Sequence, residues 1–580
     1  MKRHARMQRK VWEIRPRCAQ VKALAEALKI TPLFAQVLSN RELSEPSSIQ
    51  SFLSPKLTDL IDPGRLFGVK EAVSRIRTAL EEDRKIAIYG DYDVDGITSV
   101  SILWHLLRVL GRKADYYIPH RVDEGYGLNP EAVGQLAEAG VSLLITVDCG
   151  ITACEEIALA GQLGMEVIVT DHHQPGERLP DASAIVHPTL DPTYPNPHSA
   201  GAMVAFKLAW ALAESYKRGG QMPSELRQYL LNATTLAGLG TIADVVDLRG
   251  ENRVLSGFGL KALEQSDLVG VRALVAAADL AGKGLDSYDI AFTLAPMLNA
   301  AGRMGHARLA VELLTTDSEY RAMQIAQYLK EQNRLRQKCQ REIFKQVKQR
   351  ITEAGLNHPD RKTIVLAGEN WHTGVVGIVA SRVIDEYYKP TILINLENGC
   401  GQGSGRSIEG FNLHAALCAC RDHLIRFGGH EMAAGLRIEA SRVEAFAEQF
   451  EACARGQLTD RVLSSSLSID AEASIRDFSE QLMRELSALE PFGQGNPRPV
   501  FATRGVRLIS PPRRCGARSD HLQLSIQDDT GAVRCIGFGM GPLEKKLVES
   551  ESFHVAYEPQ YNTWNGSTQL QFVLSDIQFE

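Results

Sequence analysis

At 580 residues the chain has room for about four domains of roughly 150 residues each. Its 44% hydrophobic and 23% charged residues are ordinary for folded protein, which excludes a disordered chain, and no apolar run reaches the roughly 18 residues of a membrane span. A net charge of −6 argues neither for nor against nucleic acid, because a basic groove can sit on an acidic protein.

The stretch Met1 to Lys10 is basic but lacks an apolar core, so it is no secretory signal and reads as a solvated arm. The cysteines are scattered without a CxxC pair, and Cys418 and Cys420 are too close for a usual zinc knuckle. Free thiols in a cytoplasmic protein are expected.

From about Lys85 to Pro188 apolar runs alternate with helical stretches. The expected strands are Lys85 to Tyr89, Asp115 to Ile118, Leu143 to Val147, Val167 to Thr170 and Ala184 to Val186, with helices such as Thr98 to Leu110 and Glu131 to Ala139 between them. Such alternation means a mostly parallel sheet covered by helices, and ligands of these sheets bind beyond the carboxyl ends of the strands. Asp91, Asp93 and Asp95 follow the first strand, Asp148 the third, and Asp171, His172 and His173 the fourth. Two carboxylates about 4 Å apart repel by about 4 kcal/mol at an effective dielectric near 20, so three in five residues is costly unless a divalent cation turns the repulsion into coordination.

Ala200 to about Ala310 reads as helical, with Leu239 to Asp244 and Pro296 to Arg303 as loops; Asn299 and Arg303 either clamp a phosphate or cap a helix. A long helix free of Pro and Gly runs from about Ser318 to Ala354 as a solvated inter-domain strut. A second α/β segment spans about Thr363 to Arg455. In it, Gly403-Ser-Gly-Arg-Ser407 is expected as an anion nest, with Ser404, Gly405, Arg406 and Ser407 around a phosphate, and Gly428-Gly-His430 follows. Beyond Leu467 come short alternating strands, with turn signals at Asp528 to Gly531 and Asn565-Gly566, expected as a small OB-like barrel.

The polar residues at the strand ends, with Asp244, supply enough carboxylate and imidazole for two ions. Such donors suit Mn²⁺ or Mg²⁺, and also Zn²⁺ or Fe. Asp148 is the best-placed bridge. The side chains of His172 and His173 are expected to diverge, one ligating metal while the other faces substrate.

Asp-Tyr-Asp-Val-Asp-Gly at 91–96, Thr-Val-Asp148-Cys-Gly, Asp-His-His at 171–173, Gly-Thr-Ile-Ala-Asp244 and Asn-Ala-Ala-Gly-Arg at 299–303 resemble the ordered motifs of the DHH phosphoesterases. Gly-Ser-Gly-Arg-Ser at 403–407 and Gly-Gly-His at 428–430 are similar to the companion DHHA1 domain. With the barrel, from about Phe52 onward the chain looks like the single-stranded-DNA-specific exonuclease branch. The resemblance implies an α/β architecture: a parallel-sheet DHH domain joined by a long helix to a second α/β domain, plus the all-β barrel. It divides the chain into an N-terminal helical segment to 60, a DHH domain over 61–315, a connecting helix over 316–355, a DHHA1 domain over 356–458 and a barrel over 459–580. It implies two ions, Mn²⁺ or Mg²⁺, on Asp91, Asp93, Asp95, Asp148, His172 and Asp244. Asp148, His173 and Asp95 then carry the chemistry, while Asn299, Arg303, Ser404, Gly405, Arg406, Ser407 and His430 grip the nucleotide or its 5′ phosphate.

The implied activity is 5′-to-3′ digestion of single-stranded DNA in recombination and repair by a monomer, with a helicase and a single-strand-binding protein as partners and no membrane. A DHH-type phosphodiesterase of oligonucleotides or cyclic dinucleotides is the alternative. Phe538, Tyr557, Tyr561 and Trp564 are stacking candidates in the barrel, with barrel core as their plain role. Two residues depart from the family pattern: Cys149 where asparagine is expected, and Met297 where arginine is expected, which puts one phosphate contact in doubt.

Overall fold

The computed structural model describes residues 10–120, 124–303, 306–458, 466–564 and 567–579, with only the backbone of Trp564 and Ser567. The basic arm before Lys10 and the Asn565-Gly566 turn lie outside these residues.

Five parallel strands form the first sheet, in the order Asp115–Tyr117, Ile86–Gly90, Leu143–Val147, Glu166–Thr170, Ala184–Val186. Ile86–Gly90 and Leu143–Val147 are buried at every position, as expected of parallel strands with both faces covered. Alternate residues serve two cores: Ile86 and Ile88 join one, Ala87 and Tyr89 the other. The strand order reverses beside Ile86–Gly90. This switch point, between the strands that end at Asp91 and Asp148, is where such sheets open a crevice.

The two expected loops in the helical region are helical. Leu239 to Ala243 completes the helix Ser224–Ala243, with Asp244 as its C-terminal cap. Pro296 to Arg303 lies inside the helix Ala295–Arg303. Pro296 follows directly on the π turn Ile290–Leu294, where the regular i→i−4 ladder is already interrupted, and small residues let these helices approach their neighbours closely.

Glu251 and Lys207 are both buried there. Lys207 Nζ donates to Glu251 at 2.5 Å and to the Ile61 carbonyl, while the Tyr194 hydroxyl (2.7 Å) and the Ile61 N–H (3.0 Å) complete the carboxylate. Burial lowers the Lys207 pKa, against the pull of Glu251.

The long helix spans Glu319–Glu353, about 50 Å at about 1.5 Å per residue. It is less solvated than expected. Ala322, Ile325, Ala326 and Leu329 enter the first core, and Ile343, Phe344, Val347 and Ile351 enter the second.

The second sheet runs Leu424–Gly429, Ala433–Glu439, Cys400–Arg406, Thr391–Glu397, Ile364–Glu369. Only its last pair is parallel. Helix Thr373–Tyr387 packs on one face; Leu413–Ala419 and Val443–Gln457 pack on the other.

Burial alone would raise the Glu451 carboxyl. The N–H groups of Lys362 and Thr363 (both 3.0 Å), the Thr363 hydroxyl (2.7 Å) and Arg455 (3.1 Å) outweigh it and hold the group below its ordinary value. A carboxyl depressed on folding stabilises above its unfolded pKa, 4.5 here, and loses that contribution as pH falls through its folded value. Thermal melts of the full chain at decreasing pH should show this loss, and Glu451→Gln should flatten it.

Strands Phe501–Leu508, Phe553–Trp564, Ser567–Phe579, Ala532–Gly537 and His521–Gln527 pair in turn, and Arg507 and Leu508 pair back to Gln527 and Ile526. The ring closes into a five-stranded barrel of OB type. The expected turn at Asp528 forms, with Asp528 Oδ1 accepting from the Thr530 and Gly531 N–H groups.

The N-terminal segment joins this barrel. Val11–Ile14 pairs parallel to Ser466–Ile469, and Trp12 Nε1 donates to Asp576 at 2.7 Å. Phe34, Val37, Leu38, Ile49 and Phe52, from the helices Pro32–Asn40 and Pro46–Leu53, enter the barrel core. Arg253 of the helix Gly250–Leu263 is buried and donates to the carbonyls of Phe52, Leu489 and Glu490, tying that helix to the barrel module.

Candidate metal centre and substrate cleft

The sequence after the first strand folds into a tight loop onto the helix Val94–Val109. Asp93 caps this helix, its Oδ1 accepting from the N–H groups of Asp95 and Gly96 at 2.9 and 3.2 Å. Asp95 is seated on the N-terminus of the next helix, Gly201–Glu214, accepting from Gly201 N–H at 2.6 Å and Ala202 N–H at 2.8 Å. Only glycine fits at 201: a Cβ there would lie 2.8 Å from Asp148 Oδ1 and 2.9 Å from Asp95 Oδ2. Gly240 packs against Thr98 and Ala202, which brings Asp244 to the same crevice.

Six of the seven expected acidic and imidazole residues fall into two groups, in each of which the ligand atoms lie within 4.8 Å of one another: Asp91, Asp93 and Asp148; Asp95, His172 and Asp244. A third group, Asp148 with His172 and His173, adds the seventh. His172 Nε2 is 3.1 Å from Asp148, and 3.7 Å from both Asp95 and Asp244. Asp148 thus faces two groups. It has φ +60°, and Val245, next to Asp244, has φ +62°. A β-branched residue in this region is strained, and such strain clusters at functional sites.

The electrostatics fit a cation. Burial and Asp93 push the Asp95 carboxyl up to about 7. Burial, with Asp95 and Asp93, pushes Asp244 up to about 9. Burial, with Asp95, Asp93 and Asp91, raises Asp148 well above the carboxylate range. Left alone, the acids relieve one another only by taking up protons; oxygen donors so crowded fit a hard divalent ion. Burial and His173 drive His172 down to about 4, so its imidazole is neutral near pH 7 and offers a lone pair.

The two histidines do not diverge. Asp171 Oδ1 accepts from both of their N–H groups, which bends the chain so that the rings lie 4.4 Å apart, His173 Nδ1 being 2.8 Å from the same oxygen. Burial would raise Asp171, but the bonds from His173 and Ile151 outweigh it and hold its carboxyl low. Burial would lower His173, but the Asp171 carboxylate outweighs it and raises the imidazole.

Sequence reasoning missed Tyr126 here besides Gly201, and it missed the role of Asp171, which it had placed at a strand end. Asp171 orients both histidines, and the Tyr126 hydroxyl lies 3.0 Å from His173 Nδ1 and donates to the Asp148 carbonyl at 3.2 Å. Burial, with Asp171, keeps the Tyr126 phenol protonated. Its flanking glycines, Gly125 and Gly127, both with positive φ, were the one local signal.

From this centre a line of contacts leads into the second domain. Gly302 lies against the Tyr92 carbonyl of the acidic loop. Arg303 Nη1 donates to the Gly374 carbonyl at 2.8 Å. One turn on, Gly377 lies against Ser404 and Arg406. His430 sits in the hairpin whose Ala433 pairs with Arg406, its N–H donating to the Ala433 carbonyl.

The anion nest is not there. Residues 400–406 form a central strand whose backbone pairs on both sides. Gly401, Gly403 and Gly405 are small because Ile394, Ile438, Leu436 and Leu413 press on that face. Gly405 therefore faces the core, and Ser407 is buried with its hydroxyl donating to the Phe411 carbonyl at 2.6 Å. Ser404 and Arg406 keep the opposite, helix-facing side, where Arg406 donates to Ser404 Oγ and the Gly405 carbonyl. Asn299 lies half-buried on the helix, one turn before Arg303. Cys149 and Met297 are both buried in hydrophobic cores, so neither side chain lies on the cleft surface.

On the barrel, a groove of about 660 Å³ is lined by Arg513, Arg534, Gln523, Asn562 and Gln571, among others, and by no acidic residue. The expected aromatics are elsewhere: Tyr557 is core, stacked on Phe572, while Phe538 and Tyr561 are exposed; the Trp564 side chain lies outside the described residues.

Family models match three stretches: the DHH family N-terminal domain at residues 85–234, the DHHA1 domain at 360–456 and the RecJ OB domain at 469–576. The single-stranded-DNA-specific exonuclease RecJ of Bacillus subtilis is 38% identical over 572 residues, covering 97% of this chain and 70% of its own length. Its Escherichia coli counterpart is 31% identical, with 95% and 96% covered. The crystal structure of Thermus thermophilus RecJ in complex with Mn²⁺ superposes with a TM-score of 0.84 at 32% identity, covering 98% of this chain and 80% of that one; the complex with Mg²⁺ gives 0.78 at 31% identity, with 98% and 78% covered. By sequence, by fold and by the make-up of its acidic crevice, the chain belongs to the RecJ family of DHH phosphoesterases.

Proposed function

We propose that the chain is a single-stranded-DNA exonuclease that works from the 5′ end with two divalent ions, Mn²⁺ or Mg²⁺. The observation that carries this reading is the convergence of Asp91, Asp93, Asp95, Asp148, His172 and Asp244 within overlapping groups of ligand atoms, with Asp148 facing two of them. When bound, such a pair supplies a nucleophile at neutral pH and neutralises charge on the transferred phosphoryl group. The chain's own residues do the rest. Gly201 and Ala202 fix Asp95, Asp171 fixes both histidines, and His173, the more exposed of the two, moves a proton at the substrate side. Arg303, Ser404, Arg406 and His430, reached through Gly374 and Gly377, grip the terminal phosphate.

The 5′ polarity, the role in recombination and repair, a monomeric state in the cytoplasm, and helicase and single-strand-binding partners come with the family resemblance. So does a division of the chain near 60, 315, 355 and 458. Among the described residues no helix is long and apolar enough to cross a membrane. A phosphodiesterase of short oligonucleotides or cyclic dinucleotides would have no use for the barrel groove with its Arg513 and Arg534.

Digestion of 5′- and 3′-end-labelled strands tests the reading. The expected result is that Mn²⁺ or Mg²⁺ supports digestion of single strands from the 5′ end, that chelation stops it, and that duplex and RNA are poor substrates. Release from the 3′ end, or faster turnover of dinucleotides than of long strands, would overturn it.

A further inference from the structure

One strip of surface joins the cleft to the barrel. The π turn Ile290–Leu294 runs unbroken into the helix Ala295–Arg303. Along this rod Phe292, Pro296, Asn299 and Arg303 recur at helical spacing, the first exposed and the other three half-buried, while Leu294, Ala295, Met297, Leu298 and Ala300 to Gly302 are buried. The Arg303 end lies at the cleft. The other end carries Tyr288 and Phe292, stacked on each other with ring centroids 4.3 Å apart, yet 60% and 63% exposed. Two rings left in water forfeit a large burial gain, and π turns are frequent at functional sites. Across a cleft of about 570 Å³, Tyr288 faces Gln560 and Tyr561 of the barrel. From Phe292 to Arg303 the rod rises about 16 Å, room for four or five stacked nucleotides at about 3.4 Å each.

We propose that this rod is the track on which a single strand runs from the metal centre to the barrel, its bases stacked on Tyr288, Phe292 and Tyr561. The inference rests on the nuclease reading above. Charge decides which side of the strand faces the rod. Asp286, Asp289, Glu490 and Glu558 line the same cleft against one cation, Arg498, which is itself bridged to Asp286 at 2.6 Å. Phosphates are repelled there, whereas bases stack on the rings and their exocyclic amines donate to carboxylates. The strand therefore lies bases inward on this track and turns its phosphates toward Arg513 and Arg534 only at the barrel groove.

The test uses the full chain with Mn²⁺, and compares a 15-nucleotide strand with a trinucleotide, which spans only about 10 Å and ends short of the rings. With Tyr288→Ala and Phe292→Ala together, the preference in kcat/KM for the 15-mer over the trimer should fall about tenfold, with the salt dependence of strand binding retained. Arg513→Ala with Arg534→Ala should instead flatten that dependence by roughly 0.7 per lost phosphate contact. A 15-mer with abasic sites at its fifth and sixth nucleotides should bind the unaltered chain as weakly as the intact 15-mer binds the aromatic variant. An unchanged length preference, or abasic strands bound normally, overturns the track. If the unaltered chain cleaves neither substrate, the nuclease reading itself fails and takes the track with it.

Discussion

Asp148→Ala is expected to lower cleavage of single-stranded DNA by at least about 10³-fold while leaving strand binding largely intact. Asp148 is the one carboxylate that belongs both to the group with Asp91 and Asp93 and to the group with His172 and His173. Its backbone N–H donates to the Thr170 carbonyl at 3.0 Å, which holds it in place at the end of its strand. Asp148→Asn keeps the shape but not the charge, and should lose turnover nearly as fully. Calorimetric titration with Mn²⁺ gives the cause: fewer ions bound in both variants, with the barrel groove untouched. Turnover near that of the unaltered chain would remove the bridging role from Asp148.

Lys207→Met is expected to destabilise the first domain by about 3–5 kcal/mol. Both partners are fully buried, and the substitution leaves the Glu251 carboxylate in the core with neutral donors only, from Ile61 and Tyr194. The charge, more than the lost contact, sets the size of the effect. Lys207→Met combined with Glu251→Gln should therefore recover most of the loss. Thermal unfolding of the three proteins measures this, and a double variant no more stable than Lys207→Met would show that packing rather than charge governs the site.

The parallel strands and the acidic ligands were legible because each carries a strong physical signal. Runs such as Leu143 to Val147 are apolar throughout because both faces are covered, and clustered carboxylates are expensive without a cation. What misled was glycine and proline read as punctuation. Gly240 and Gly302 sit inside helices because neighbouring elements press on them, and Pro296 follows directly on a π turn. Gly401, Gly403 and Gly405 repeat every second residue, which is a strand's period, not a phosphate cradle's. Tyr126 and Gly201 owe their roles to side chains distant in sequence, and the barrel groove draws Arg513 and Arg534 from separate strands. Neither arrangement leaves a periodic trace.

The pairing of Val11–Ile14 with Ser466–Ile469, and of Trp12 with Asp576, sets an order of events during synthesis. The acid-bearing sheet is complete once residue 186 has emerged, but the barrel waits for the far end of the chain. At about 5–20 residues per second, the ribosome holds a finished acid-bearing sheet for roughly 20–80 s before the barrel can close. Until then Phe34, Val37 and Leu38 lack the barrel side chains that cover them, so a prematurely terminated chain leaves this apolar face open.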